Sequence, residues 1–239
     1  MPSIVSLQNV HKSFHHLDVL SNVSCAVNPG EVVSLVGPSG CGKSTVLRLM
    51  AGIETPEVGQ IERNFQRAGF VFQEPRLLPW RTALENVVLV LLDRHPASVQ
   101  REKQAAALLQ RVGLAGFEHY FPSQLSGGMR QRVAIARALA VDPDFVLLDE
   151  PFSALDFALR LSLIEFLRSL LTADNKTAVY VTHDVREALL LSDRLVVFSS
   201  LPGRIKQVFD VRHLRSVGHT LPPALQAIEA EIVDLLLAD

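Results

Sequence analysis

A glycine-rich stretch beginning at Gly37 carries the clearest chemistry in the chain. Residues 37–44 fit the pattern G-x-x-x-x-G-K-[ST], between an apolar strand-like run and a run with helical spacing. Glycines let backbone N–H groups turn inward around phosphate oxygens, and the following helix directs its partial positive charge at them. The pattern predicts a phosphate-binding loop. The strand and helix on either side disfavour the alternative, a chance glycine-rich turn that ends in Lys-Ser.

The side chains at the end of this loop suit a nucleotide. Lys43 would neutralise charge on the outer phosphates, and the Ser44 hydroxyl would ligate Mg²⁺. Cys41 is interpreted as a small residue that fits the loop, not as a redox switch. The residues expected to contact the nucleotide are Gly37, Pro38, Ser39, Gly40, Cys41, Gly42, Lys43, Ser44 and Thr45.

Two adjacent carboxylates, Asp149 and Glu150, follow the apolar run Phe145 to Leu148. Such a run is typical of a strand covered on both faces, and ligands gather at the carboxyl ends of such strands. We predict that Asp149 ligates Mg²⁺ and that Glu150 accepts a proton from an attacking water molecule. The phosphate loop upstream disfavours the alternative of a solvated corner between strand and loop.

A third motif, Ser126-Gly127-Gly128, stands before a run with helical spacing that carries Val133 to Leu139. Ser126 is a typical N-cap residue, and the N–H groups after it would form a second anion-binding helix end. Within one subunit that end has no phosphate to bind. A glycine linker entering an alanine-rich helix is the alternative, and it would predict no nucleotide-dependent dimerisation.

Hydrophobic periodicity predicts an α/β framework that positions these motifs. Strands are expected at Ile4 to Val10, Val19 to Val27 (an antiparallel pair with the first), Glu31 to Val36, two within Gln60 to Phe72, Phe145 to Leu148, Ala178 to Val181 and Leu195 to Phe198. Helices are expected at Ser44 to Ala51, through Trp80 to Gly113 with a break near His95-Pro96, at Ala158 to Leu171, and after Pro222-Pro223 on a stripe of Leu225, Ile228, Ile232, Leu235 and Leu236.

Composition bounds the class of protein. With 239 residues, of which 48% are hydrophobic, the chain can bury a large core, which excludes disordered and fibrous classes. A net charge of -2 gives no electrostatic argument for a nucleic-acid partner, so we expect none. Two cysteines are too few for a disulfide framework and favour a reducing cytoplasm. The longest apolar run, Val87 to Leu92, is far shorter than a membrane span, and the first residues do not resemble a signal peptide.

The motifs together resemble one family. With Gln73, the run Ser153 to Asp156 and the run Val181 to Asp184 added to the three motifs above, the chain is similar over essentially its whole length to the ATP-binding subunit of ABC transporters. The resemblance implies a P-loop NTPase core with an antiparallel β subdomain and an inserted α-helical subdomain. It also implies ATP and Mg²⁺ as cofactors, and ATP hydrolysis coupled to transport.

Further residue roles follow from the resemblance. Ser126, Gly127 and Gly128 would cover the γ-phosphate held by a second copy of the subunit, which gives a dimer with two shared ATP sites. The other implied roles are Mg²⁺ and water sensing by Gln73, γ-phosphate contact by His183, communication across the dimer by Asp156, and adenine stacking by Phe14, where His15 or His16 is the alternative.

The segment Glu74 to Arg81 is similar to importer ATPases for nitrate, taurine, alkanesulfonates, bicarbonate and related small solutes. In that family the segment lies near the groove that receives a short helix of the membrane permease, so Leu77, Leu78 and Trp80 are candidate docking residues. Packing of Trp80 inside the helical subdomain is the alternative. The implied partners are the permease and, through it, a solute-binding protein, with the chain peripheral on the cytoplasmic face of the membrane.

The expected organisation is a single ATPase domain over residues 1–239. Residues 1–80 and 138–215 would form the nucleotide-binding core with its antiparallel lobe, residues 81–137 the helical subdomain, and residues 216–239 a helical tail. The short interval from Gln60 to Phe72 indicates that a hairpin of the antiparallel lobe is trimmed.

Another class of function stays open beside transport. A soluble ABC ATPase of iron–sulfur cofactor assembly matches the chain in size, although Leu77 to Trp80 favours a membrane partner. A nucleotide-sensing adaptor without catalysis would require damaged catalytic residues, and Glu150 and His183 are both present.

Overall fold

The structure, a computed structural model, describes residues 2–92, 98–214 and 220–238. Single 3₁₀ turns lie at Leu89–Leu91 and Pro122–Gln124. In chain order the strands and α-helices are β1 Val5–Phe14, β2 Leu17–Val27, β3 Val32–Val36, α1 Lys43–Ala51, β4 Val58–Arg63, β5 Ala68–Val71, α2 Ala83–Val88, α3 Ser98–Arg111, α4 Gly127–Ala140, β6 Phe145–Asp149, α5 Phe157–Ala173, β7 Thr177–Thr182, α6 Val185–Leu191, β8 Arg194–Phe198, β9 Ile205–Asp210 and α7 Pro223–Leu237.

The chain forms two compact units. The first unit comprises residues 1–65 and 161–239, and the second unit comprises residues 66–160. The subdomain boundaries given above stay a prediction, and the boundary between residues 215 and 216 lies outside the described residues.

An antiparallel sheet forms one part of the first unit. β1 pairs with β2 on one side and with β4 on the other, in the order β2-β1-β4. Val5 and Leu7 of β1 are buried, as the alternation of apolar residues in the sequence predicts, and Val10 is buried beyond a shift of register that follows Leu7. The predicted antiparallel pair is confirmed. The two strands predicted between Gln60 and Phe72 are also found, but β4 belongs to this sheet and β5 to the second unit.

Parallel strands form the other part of the first unit. β3 pairs in parallel with β7 and with β8, and β9 joins β8 antiparallel. Every residue of β3 and β7 is buried, including Ser34, Thr177 and Thr182, which agrees with the largely apolar sequences of the two strands. The helix predicted after β3 is confirmed as α1, which ends at Gly52 in the left-handed conformation.

The second unit places helices beside a parallel pair of strands, β5 and β6. Helix α4 approaches β5 closely at Gly69 of β5. A Cβ at this position would lie only 2.5 Å from the carbonyl oxygen of Ala138 in α4. The predicted helical region is confirmed as α2 and α3, and Thr82 and Glu85 form a capping box that begins α2. The predicted break near His95-Pro96 lies outside the described residues.

The last helix, α7, buries Leu225 and Ile232 and partly covers Ile228, Leu235 and Leu236, so the predicted apolar stripe is confirmed. Among residues 2–92, 98–214 and 220–238, no helix combines the length and the apolar character that crossing a membrane requires.

Glu31 joins several strands of the first unit. Its side chain is 6% exposed, and its carboxylate lies 3.0 Å from Arg194 Nε and 3.4 Å from Arg212 Nη2. The same carboxylate accepts a 2.9 Å hydrogen bond from the backbone N–H of Asn28, and Arg194 also donates to the carbonyl of Ala26. This buried carboxylate therefore ties the end of β2 to the start of β8 and to the residues after β9.

Replacing Glu31 with Ala should lower the free energy of unfolding by about 3 kcal/mol, because the change leaves a largely buried guanidinium without its carboxylate. Chemical denaturation followed by circular dichroism measures this change. Glu62→Ala, at an exposed position on β4, is the matched control and should leave stability nearly unchanged. If the two substitutions lowered the free energy of unfolding equally, the stabilising role of the Glu31 network would be contradicted.

Candidate functional site

The phosphate loop connects the end of β3 to the start of α1. Gly40 and Gly42 have φ angles of 80° and 99°, in the left-handed region that favours glycine. A Cβ at Gly42 would also lie 2.7 Å from Leu20 Cδ2. Gly42 is the N-cap of α1 and supplies no side-chain hydrogen bond, so the first N–H groups of the helix are directed into the loop. The predicted strand-loop-helix context is confirmed.

The Lys43 ammonium lies inside this loop. Its Nζ donates 2.8 Å hydrogen bonds to the carbonyl oxygens of Gly37 and Pro38 and lies 3.7 Å from Cys41 Sγ. Only 4% of the residue is exposed. The cation is therefore held by its own loop, next to the N–H groups at the start of α1, and the arrangement suits a bound anion.

A glycine distant in sequence supports the loop from behind. Gly203 donates to the carbonyl of Val19 at 2.9 Å and accepts from the N–H of Ser21 at 3.1 Å. A Cβ at Gly203 would collide with the carbonyl oxygen of Cys41. Sequence reasoning missed this residue, since an isolated glycine 162 positions after Cys41 gives no local signal.

His183 lies at the same edge of the first unit's parallel strands as the phosphate loop. The pairing of Val36 with Thr182 brings the residues after β3 and after β7 to one edge. His183 is exposed, and the turn behind it is fixed by Glu187, which accepts from Tyr180 at 2.7 Å and from Thr182 at 2.8 Å. Thr182 Oγ1 in turn accepts from the backbone N–H of Asp184 at 3.0 Å, so the buried Glu187 carboxylate, which sequence reasoning missed, holds the hydroxyl that bonds to the backbone after His183.

The aromatic residue predicted to stack on adenine lies at the tip of the β1–β2 hairpin. Phe14 is 37% exposed, and the ammonium of Lys12 lies 4.9 Å from its ring centroid. Lys12 also lies 3.6 Å from a carboxylate oxygen of Glu54. The ring is available for stacking, and its role as the adenine contact stays a prediction, as do the alternatives His15 and His16.

In the second unit, Gln73, Asp149 and Glu150 lie at one strand edge, because Val71 pairs with Leu148 in the parallel register. Gln73 Nε2 donates to Ser153 Oγ at 3.2 Å, and Ser153 Oγ donates to the carbonyl of Glu150 at 3.1 Å. Glu150 has a φ of 43°, a strained value for a residue with a side chain. The structure thus joins the predicted glutamine to the predicted catalytic turn.

The Ser126 motif begins helix α4. Ser126 is the N-cap, and its Oγ accepts from the N–H of Met129 at 3.3 Å, so the predicted cap is confirmed. A Cβ at Gly128 would lie 2.9 Å from Leu159 Cδ2. Asp156 accepts from the N–H of Leu159 at 3.0 Å, which places the Ser126 motif and Asp156 against the same short stretch of chain.

The environment of Trp80 bears on the packing alternative, and its docking role stays a prediction. The residue is 69% exposed, so the alternative of internal packing is wrong. Leu77 and Leu78 are partly covered, and Leu78 N–H donates to Asn86 Oδ1 at 2.8 Å. The sequence alone could not predict this exposure, because the segment around Trp80 is neither helix nor strand and has no periodicity that would mark a buried face.

Comparison with known proteins agrees with this geometry. The family profile described as ABC transporter matches residues 20–153. The chain belongs to the ABC transporter family. One ABC relative, named aliphatic sulfonates import ATP-binding protein SsuB 1 from Pseudomonas syringae pv. syringae (strain B728a), is 44% identical over 94% of this chain and 87% of its own length. Another, sulfate/thiosulfate import ATP-binding protein CysA 2 from Rhizobium meliloti (strain 1021), is 44% identical over 85% of this chain and 59% of its own.

A solved structure confirms the predicted fold class. A dimeric ATP-binding cassette in a post-hydrolysis state, bound to ADP and Pi, superposes on the present chain with a TM-score of 0.78. It is 35% identical and covers 87% of this chain and 99% of its own. The α/β cassette with an antiparallel β subdomain and inserted helices is therefore the fold of this chain.

Both thiols should resist alkylation in the folded ABC chain. Burial raises the pKa of Cys25 to about 12, although Arg194 opposes the shift, and burial also raises the pKa of Cys41 against the nearby Lys43. At pH 8 the thiolate fraction of Cys25 should fall on the order of a thousandfold below that of an ordinary thiol. Iodoacetamide labelling measured by mass spectrometry should be slow below pH 9 and become fast only in denaturant. Fast labelling of the native chain below pH 9 would contradict the raised pKa values of the two thiols.

Proposed function

We propose that this chain is the ATP-hydrolysing subunit of an importer for a small sulfur oxyanion, with aliphatic sulfonates as the preferred solute class. The observation that carries the proposal is the buried Lys43 ammonium in a glycine loop at the start of α1, in a chain 44% identical to import ATP-binding proteins. The loop supplies the ATP chemistry, and the relatives supply the direction of transport.

ATP is held first by its phosphates. The N–H groups of the loop and the Lys43 ammonium bind the β- and γ-phosphate oxygens, and the exposed face of Phe14 stacks on adenine. Oxygen ligands suit Mg²⁺, and Ser44, Gln73 and Asp149 are the oxygen-bearing residues that we assign to it. The bound ion would neutralise charge on the phosphates.

Hydrolysis then needs a base and contacts to the γ-phosphate. Glu150 accepts a proton from water as the water oxygen bonds to the γ-phosphorus, and the bond to the β–γ bridging oxygen breaks, which gives ADP and phosphate. His183 contacts the γ-phosphate. The hydrogen-bonded turn from Gln73 through Ser153 to Glu150 supports this assignment because it fixes the backbone of the base.

A second copy completes the site. The first N–H groups of α4, which follow Ser126, bind the γ-phosphate held by the partner's loop. Asp156 relays the nucleotide state of one site to the other. The dimeric cassette bound to ADP and Pi supports this arrangement. ATP thus stabilises the closed dimer more than the open one, and hydrolysis reverses that preference.

The chain attaches to the membrane through a permease. The exposed indole of Trp80, with Leu77 and Leu78 beside it, is a suitable anchor for an apolar helix of the membrane subunit. The chain then lies peripherally on the cytoplasmic face. A solute-binding protein delivers the solute to the other side of the permease.

The solute class rests on the relatives. Aliphatic sulfonates and sulfate or thiosulfate are the solutes in the names of the relatives described above, and both are small anions with sulfur–oxygen groups. The iron–sulfur assembly alternative finds no support in these comparisons.

The direct experiment is uptake of labelled alkanesulfonate by cells that carry this chain with its own permease. Cells in which the chain carries Lys43→Ala should lose that uptake, while wild-type cells keep it. Sulfate uptake in the same cells separates the two solute classes. Equal sulfonate uptake in both strains would contradict the proposed role.

Replacing Glu150 with Gln should abolish ATP turnover while ATP still binds, because the amide cannot accept the proton but keeps the size of the side chain. The variant should accumulate as an ATP-bound dimer, measured by size-exclusion chromatography with light scattering. Phosphate release measures the turnover.

Lys43→Ala is the contrasting variant. It should weaken ATP binding about 100-fold, as loss of charge-assisted hydrogen bonds predicts, and calorimetry measures this affinity. The exposed Lys103→Ala on α3 is the control and should bind ATP normally.

Turnover of Glu150→Gln at the wild-type rate would remove Glu150 from the role of base.

A further inference from the structure

The segment 74–81, which we call the docking segment, is held by side chains from two helices. In its second half, Asn86 of α2 accepts from the N–H of Leu78 at 2.8 Å and donates to the carbonyl of the same residue at 3.2 Å. Just before it, Gln131 of α4 donates to the carbonyl of Phe72 at 3.4 Å. Side-chain bonds of this kind fix a backbone that has no regular structure of its own.

Arg137 of α4 makes the central attachment. Its Nη2 donates to the carbonyl of Pro75 at 2.7 Å, and its Nη1 donates to the carbonyl of Arg76 at 2.8 Å. Burial lowers the pKa of Arg137, a sign that the guanidinium has given up much of its contact with water to make these bonds. The planar guanidinium binds two successive carbonyls at once, which a lysine ammonium cannot match in geometry.

The backbone at this attachment has an unusual conformation. Arg76 has a φ of 47°, in the left-handed region that disfavours residues with a side chain. Its guanidinium lies 4.2 Å from the ring centroid of Phe72, and that ring stacks on Phe70 at 4.3 Å. Contacts on both sides of Arg76 therefore maintain a conformation that an isolated chain would leave.

Helix α4 links this attachment to the Ser126 motif. The helix begins after Ser126, and Arg137 follows eleven positions later, about 16 Å along a regular α-helix. A helix of this length moves as a rigid body, so a displacement at its start carries the carbonyls of Pro75 and Arg76 with it.

We propose that Arg137 is a positioning residue that transmits the nucleotide state from the Ser126 end of α4 to the docking segment. Through it, the position of Trp80 depends on whether ATP is bound at the start of the helix. This inference rests on the proposed function, because it takes the Ser126 motif as a nucleotide contact and the docking segment as the permease contact.

Trp80 is the only tryptophan in the sequence, so its fluorescence reports on the docking segment directly. The experiment uses the full chain, a non-hydrolysable ATP analogue with Mg²⁺, and acrylamide quenching of Trp80. A fluorescent ATP analogue measures nucleotide binding separately. The variants are Arg137→Met, Arg137→Lys and, as a matched control on the same helix, Arg132→Met, whose guanidinium donates to the carbonyl of Val112 and not to the docking segment.

The nucleotide should change the quenching of Trp80 in the wild type and in Arg132→Met. Arg137→Met should lose that change while it keeps nucleotide binding, and Arg137→Lys should keep part of it. If circular dichroism shows that Arg137→Met does not fold, a smaller response of Arg137→Lys than of Arg132→Lys decides the question.

Two outcomes would overturn the inference. One is a normal Trp80 response in Arg137→Met, and the other is a wild type that binds the analogue with no change at Trp80. A wild type that binds no nucleotide would instead refute the proposed function, so the two failures are distinguishable.

Discussion

The buried ammonium of Lys43 is the constraint around which the first unit is arranged. A cation this deeply buried must be hydrogen-bonded, and its acceptors are the carbonyls of Gly37 and Pro38 in its own loop. The loop can only wrap around the ammonium because Gly40 and Gly42 take left-handed conformations. Leu20 of β2 and Gly203, before β9, pack against the loop. These two contacts hold the loop in place.

The second unit uses the reverse arrangement, in which side chains hold an irregular backbone. Asn86 is fully buried, and its amide bonds to the backbone of Leu78, Arg81 and Thr82. Each buried polar group in such a network must be satisfied, since an orphaned one would destabilise the fold. The segment before α2 is therefore attached to that helix even though it is neither helix nor strand itself, and it carries the exposed Trp80.

Local patterns predicted most of the elements and the contiguous motifs. The phosphate loop, β3 and the Ser126 cap each depend on fewer than ten consecutive residues. Periodicity and residue type were therefore enough to predict them. Strand β9 and helix α6 were missed, because IKQVFD has weak alternation and VREALLL is a short run buried on nearly all sides. Arg137 and Gly203 were also missed: Arg137 bonds to Arg76 across 61 positions, and no local pattern encodes a contact of that span.

Two strained residues follow the parallel strands of the second unit, and the same device holds both. Glu150 and Arg76 have left-handed φ angles, which disfavour a side chain by about 1 kcal/mol each. At each residue the carbonyl oxygen is anchored: Ser153 donates to Glu150 through its backbone N–H and its hydroxyl, and Arg137 donates to Arg76. These bonds turn the chain away from the strand direction. The orientation of the carboxylate and the path of the docking segment therefore depend on these hydrogen bonds to backbone carbonyls.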